Sequence, residues 1–279
     1  MMTIAWMTWT EILRKRVLLV TVLMTLLFLG VYTFAMHSLA GLTSSNTGDD
    51  LLSNYLHAAL GLAMGLYVSN FTVAYLAIFS SAGTISSEIE SGLLLAILPR
   101  PVSRWRVYLG KWIGYAVWGV LYGAVMFWAV VVIVHAYTAV PLEAASLWKS
   151  FCVFELIPIS LVSLSILGSV YLPALGNGVA MTLLFGIGMI GGFIQRITSV
   201  PQAAMEKIGL VTSLLIPTNA AYYRMISELM GGSNSPVGGQ ELSPFAGGPT
   251  PSNAFLGYTI AYICVVVGVG LWRFTRKDV

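Results

Sequence analysis

Between residues 156 and 195 the chain carries no charged side chain. As one helix that run would reach about 60 Å, roughly twice the hydrocarbon thickness of a bilayer. It is too long to cross once and too apolar to lie in water, so it must cross, turn and return. The turn is expected at residues 173–178, PALGNG, where Pro, Gly and Asn supply turn chemistry. The rest of the sequence agrees. Charged residues make up 9% of the chain and hydrophobic ones 57%, against roughly a quarter charged in soluble domains. The fold class that follows is an all-α polytopic membrane protein.

Six spans are expected in a single transmembrane domain over residues 1–279, at 17–36, 55–82, 112–137, 150–172, 178–194 and 254–272. Residues 1–16 place Met2, Trp6, Trp9 and Leu13 at helical spacing, with Thr3, Thr10 and Arg14 on another face, as in a helix lying in the membrane interface. That segment also carries Glu11 and lacks a plain basic leader, so it does not read as a signal peptide. Residues 195–253 form a long connection. Its first part holds a helical pattern at 217–230, and its Gly/Pro/Ser-rich stretch 231–253 is expected to be disordered.

Basic residues set the orientation. Arg14, Lys15, Arg16, Arg100, Arg104, Arg106, Lys111, Arg273, Arg276 and Lys277 fall on the side of the termini, and Lys149, Arg196, Lys207 and Arg224 on the other. The positive-inside rule then puts both termini in the cytoplasm and the long connection outside, in a plasma or inner membrane. This pattern assigns the positive charge to headgroups, and no nucleic-acid partner is expected.

Residues 86–112, SSEIESGLLLAILPRPVSRWRVYLGKW, hold Glu88, Glu90, Arg100, Arg104, Arg106 and Lys111 between two uncharged spans. Ser87-Glu88-Ile89-Glu90 has the spacing of a capping box, in which a serine hydroxyl and a glutamate satisfy each other's amides at a helix start. Pro99 and Pro101 end that helix, and Ser103 stands where the next begins. An ordinary cytoplasmic loop that only sets topology would not need such a helix ahead of its basic residues.

Glu88-x-Glu90-x-Gly92, the following leucines, Arg-Pro-Val-Ser-Arg at 100–104 and Leu-Gly-Lys at 109–111 resemble permeases of the type-2 ABC exporter (ABC-2) family. The resemblance covers most of the chain, and Ile-Pro-Thr-Asn-Ala-Ala-Tyr-Tyr at 216–223 resembles the family's proline-bearing outer segment. The permeases of nitrous-oxide-reductase copper-site maturation systems are a similar branch. The resemblance implies that residues 83–111 form a cytoplasmic coupling helix docking on a separate ABC ATPase. Ser87, Glu88, Glu90, Gly92, Arg100, Pro101, Arg104 and Arg106 would make that contact. It also implies two permease copies, a homodimer, with ATP and magnesium held by the ATPase; an outside partner could meet the loop after span five. The chain itself has no GxxxxGK[ST] phosphate loop, and Leu-Gly-Lys-Trp at 109–112 lacks the Ser/Thr such a loop needs.

Glu155 is the one acidic residue placed inside a span, within two turns of the outer surface, where a carboxylate is costly. Two readings stand: a structural role, hydrated or paired with Lys149 or Arg196, and contact with a transported substrate. His37, His57 and His135 sit at the outer ends of three spans without the tight spacing of metal ligands. Gly61/Gly65, Gly119/Gly123 and Gly188/Gly192 form small-residue stripes for close helix packing, within a subunit or across a dimer. Cys152 and Cys264 and the twelve methionines read as apolar filler. No hydrolase or metalloprotease motif occurs, so the chain is not expected to be an enzyme. The alternative function is a stand-alone ion- or proton-coupled carrier, which would need ionisable groups deep in the membrane.

Overall fold

A computed structural model describes residues 2–14, 16–43, 50–92, 103–138, 143–194, 203–230 and 251–276. Among these residues every regular element is a helix. In chain order they are α1 (Met2–Arg14), α2 (Arg16–Thr43), α3 (Asp50–Ser81), α4 (Ser86–Glu90), α5 (Arg104–Thr138), α6 (Ala144–Tyr171), α7 (Ala174–Ile194), α8 (Ala203–Leu215), α9 (Thr218–Leu229) and α10 (Asn253–Arg276). Six of them, α2, α3, α5, α6, α7 and α10, are long and apolar enough to cross a membrane. The protein is an all-α, multi-pass membrane protein. The spanning helices run past the apolar windows at most ends, because nothing in the polar headgroup layer stops a backbone that satisfies itself by i→i−4 bonds.

The turn after α6 is tighter than the sequence predicts. It occupies Leu172 and Pro173 alone, and α7 begins at Ala174. Proline is at ease just before or in a first helical turn, where its missing amide costs no bond. Asn177 and Gly178 therefore lie inside α7, and their turn chemistry is not used. Helix α8 is a further difference, since no feature of residues 203–215 stood out in the sequence. The predicted helix at 217–230 is α9, entered through Pro217. Residues 231–250, the bulk of the Gly/Pro-rich stretch, lie outside the described residues.

Helix α6 is the centre of the bundle. It packs against α3, α5, α9 and α10, with further contacts to α7 and α4. Phe154, Ile157, Val162 and Ile166 are fully buried on it. By contrast Leu19, Leu23, Leu27 and Phe34 of α2 point outward, as do Ile260, Val265 and Val269 of α10, the expected state of lipid-facing side chains. Helix α1 packs on α5, with Trp9 edge-on to Trp118 at 5.4 Å and Thr8 and Ile12 buried. Trp6 of the same helix is exposed.

The three glycine pairs mark close approaches within this one chain. A methyl group on Gly61 would lie 2.9 Å from the Met36 sulfur; on Gly119, 3.1 Å from Pro158; on Gly188, 3.3 Å from Ile216. Gly65 is the tightest of the three-helix crossings. A methyl there would meet the Tyr32 ring of α2 at 2.6 Å and Val130 of α5 at 2.7 Å, while the Tyr32 hydroxyl donates to the Gly61 carbonyl at 2.8 Å. Gly65→Ala is expected to lower stability by about 1–3 kcal/mol through overpacking, read as a lower unfolding midpoint in detergent.

Candidate functional site

The turn that leaves α3, residues 82–85, has carbonyls without helical donors, and the fold supplies donors to three of them. The Ala82 carbonyl accepts from Asn177 Nδ2 of α7 at 2.9 Å. Gly83 accepts from the Ser87 amide at 3.1 Å and from the Ser87 hydroxyl. Thr84 accepts from Lys111 Nζ of α5 at 2.8 Å. Asn177 Nδ2 also donates to the Ser165 carbonyl of α6 at 2.8 Å, so one amide ties α3, α6 and α7 together.

Helix α4 grows from this tied turn. Ile85 and Ser86 face inward and are buried, and Ile89 packs half-buried against the core. Ser87, Glu90 and Ser91 face out. The helix stops at Ser91, and Gly92 takes φ +70°, a left-handed conformation that a side chain would strain.

The expected capping box does not form. Ile85 occupies the N-cap position, and no side chain bonds an amide there. The Ser87 hydroxyl reaches back to Gly83 instead. The turn off α3 is continuous with α4, so Ser87 already stands inside helical geometry with a carbonyl behind it and no free amide ahead.

Glu88 makes an ion pair with Lys111. Lys111 is 7% exposed, an unusual state for lysine, made tolerable because its ammonium meets both this carboxylate and the Thr84 carbonyl. The pair fastens α4 to the first turns of α5. Near the start of α5, Arg104 is half-buried, while Trp105 and Arg106 are exposed, with the Arg106 guanidinium 5.4 Å from the Trp105 ring centre. At this end α10 also arrives. Phe274 packs on Tyr108 at 5.9 Å, and the Arg273 guanidinium sits 5.7 Å from the Tyr171 ring centre. One end of the bundle thus gathers Arg104, Arg106, Lys111, Arg273 and Arg276. The other carries Lys149 and Lys207, both exposed, and Arg224, which bonds Glu228, the Pro251 carbonyl and Asn253.

The structure brings Ser87, Glu88, Glu90, Gly92, Arg104 and Arg106 to that basic end. Arg100 and Pro101, with residues 93–99, lie outside the described residues. Asn177 was not singled out by sequence reading, and Lys111 entered it as a basic anchor and the end of Leu-Gly-Lys, not as a docking residue. The clue to Lys111 was a lysine set among Tyr108, Gly110 and Tyr115 on an otherwise apolar helix; Asn177 was hidden by its place in a turn-like hexapeptide.

Glu155 stands apart from this site, on α6 and 7% exposed, its carboxylate against Gly123 of α5. It does not pair with Lys149. Six residues along a helix place the two about 240° apart around it, and Lys149 faces outward. Arg196 is outside the described residues. His37 packs edge-on to Tyr137 at 5.9 Å. Among the described residues no three His, Cys, Asp or Glu side chains gather as metal ligands.

Comparison with known proteins accords with this geometry. A family model described as ABC-2 family transporter protein matches residues 2–279. No curated protein matches the chain.

Proposed function

We propose that this chain, which belongs to the ABC-2 transporter family, is the permease subunit of an ATP-driven exporter, with α4 as the element that a separate cytoplasmic ABC ATPase grips. The observation that carries the reading is the clamp at α4. A five-residue helix presents hydroxyls and a carboxylate outward and is locked inward by Ile85 and by the Glu88–Lys111 pair. A short helix held this way moves as a lever and not as a loop.

In this reading ATP and magnesium belong to the ATPase, and the permease performs no bond chemistry. When the ATPase closes on ATP it displaces α4. Lys111 carries that displacement into α5, and the Asn177 amide carries it from the end of α3 into α6 and α7. The spans rearrange, which exports a substrate or transmits force to an outside partner at the segment after α7. Ser87, Glu90, Arg104 and Arg106 meet the ATPase together with Arg100 and Pro101. Glu88 acts through the clamp, and Gly92 frees the chain to leave α4 sharply. Two copies assemble in the cell membrane with both termini cytoplasmic, an orientation supported by the basic end of the bundle.

The test is Glu90→Arg in the complex purified with its ATPase. Reversing an exposed carboxylate at a docking surface should weaken assembly about tenfold or more and abolish stimulated ATP hydrolysis, with membrane insertion unchanged. Unaltered assembly and stimulation would overturn the assignment of α4.

A further inference from the structure

Among the buried polar atoms of the described residues that lack hydrogen-bond partners are the Ser69 hydroxyl, both ends of the Asn70 amide, and both oxygens of Glu155. Ser69 and Asn70 are 0% exposed and Glu155 7%. The helix registers place them at one depth. Ser165 Oγ of α6 bonds the Ile78 carbonyl of α3 at 3.3 Å. From that contact Glu155 lies about 15 Å back along α6, and Asn70 about 12 Å back along the parallel α3. Gly65 of α3 abuts Val130 of α5, and the Glu155 carboxylate abuts Gly123 on the same side of α5 as Val130. Ser69 follows Gly65 by one turn on the α5-facing row, and Asn70 continues toward Ala74 and Ile78 on the row facing α6. These registers place the three residues within about one helical turn of depth on the seam of α3, α5 and α6, with no hydrogen bond between them in the structure.

Among the described residues no cation faces Glu155. Lys149 and Cys152 of its own helix are exposed. On α5, Tyr122 bonds Thr25 at 2.5 Å, toward α2, and Lys111, about 18 Å along that helix from Gly123, is committed to Glu88. On α3, Tyr67 packs against Tyr222 of α9, whose hydroxyl bonds the Ala63 carbonyl. Arg224 of α9 is held by Glu228, Pro251 and Asn253. Tyr258 and Tyr262 of α10 cap the Leu214 and Leu215 carbonyls of α8, and Arg273 and Arg276 of α10 lie at the basic end. The described residues of α7 carry no ionisable side chain, and Glu88 and Glu90 of α4 lie near Lys111.

An ionised carboxylate so placed would be buried and uncompensated, at a cost of several kcal/mol or more. A carboxylic acid changes the accounting. Its O–H can donate to Asn70 Oδ1 while Asn70 Nδ2 donates to its remaining oxygen, and the Ser69 hydroxyl can join as donor. A carboxylate and an amide cannot close that two-bond ring, because the carboxylate has no proton to give. The close contact at Gly123 also leaves little room there for a hydrated metal ion. We propose that Glu155 is a proton-binding site inside the bundle, holding its proton by pairing with Asn70 across α3 and α6. Loss of that proton forces the seam at Gly119, Gly123 and Pro158 to admit water or to open.

The experiment is infrared spectroscopy of the full chain in lipid nanodiscs, beside thermal unfolding across pH. The wild-type protein should show a protonated-carboxyl band at neutral pH that disappears in Glu155→Gln and changes frequency in Asn70→Leu. Proton release lowers the stability of a fold that requires the neutral acid. The wild-type unfolding midpoint should therefore fall as pH rises through the titration of Glu155, and that fall should be absent in Glu155→Gln, since glutamine has no proton to lose and can make the same two bonds to Asn70. A Glu155 band of the ionised form at neutral pH, pH profiles shared by wild type and Glu155→Gln, or failure of Glu155→Gln to fold would each overturn the proposal. A band unmoved by Asn70→Leu would remove Asn70 as the partner and overturn the pairing.

Discussion

Lys111→Met is expected to uncouple the permease from its ATPase while leaving it in the membrane. Methionine fills much of the lysine stem's space but gives nothing to Glu88 or to the Thr84 carbonyl, which together hold the ammonium. Removing one partner of a buried ion pair costs about 3–5 kcal/mol. The Glu88 side chain is 20% exposed, so water recovers part of this and about 2–3 kcal/mol is expected. The unfolding midpoint should fall accordingly. Stimulated ATP hydrolysis should fall further than stability does, because α4 loses its rigid attachment to α5. Lys111→Met combined with Glu88→Leu should recover most of the stability, since the orphaned charge is gone, but little of the coupling. Lys111→Arg should rescue poorly, because a planar guanidinium cannot occupy the position of a compact ammonium between a carboxylate and a carbonyl. Full coupling in Lys111→Met would overturn the Glu88–Lys111 pair as the link in the proposed coupling.

Asn177→Leu is the second large effect. It removes both donors to the Ala82 and Ser165 carbonyls, at 2.9 and 2.8 Å, and adds no group able to replace them in a fully buried position. The Ser165 carbonyl, inside α6, keeps its helical amide donor, and the Ala82 carbonyl loses its side-chain donor; one buried carbonyl left without a donor costs about 1–3 kcal/mol, and a loss of about that size is expected. The branched side chain must also fit beside Gly168, against which the Asn177 amide oxygen presses. Asn177→Asp should fare no better, since an acceptor would replace a donor facing two carbonyls. Proximity across the joint can be read with cysteines at positions 83 and 174. A β-carbon at Gly83 would lie 3.1 Å from that of Ala174, and cross-linking between the two should slow when Asn177 is lost. Unchanged stability and cross-linking would show that the amide is not what holds α3 to α7.

Both predictions rest on residues whose partners the sequence did not display. Lysine beside a span reads as a headgroup anchor, and asparagine between glycines reads as a turn. What distinguishes them is burial and the carbonyls they meet, and those carbonyls are distant in the chain: Lys111 reaches back to Thr84 and Asn177 to Ala82. The capping box at Ser87 shows the same limit from the other side. Its spacing was right, yet the turn off α3 had already made position 87 helical, so no free amide was waiting for the hydroxyl.

What the chain determined alone was its solvent and its outline. An uncharged run too long for one crossing, a charged fraction too small for a soluble surface, and basic residues gathered on one side fix a multi-pass helical protein. These properties depend on composition and on the 1.5 Å rise of a helix, both of which are local. The ABC-2 pattern at residues 88–111 was likewise a matter of order along the chain. The tertiary structure decided which polar groups are shared between helices: Glu88 with Lys111, Asn177 with two carbonyls, and Glu155 left beside Gly123 with none. In hydrocarbon a polar group must find its partner inside the protein. Which partner it finds is set by register and rotation between helices, and that information lies in their packing.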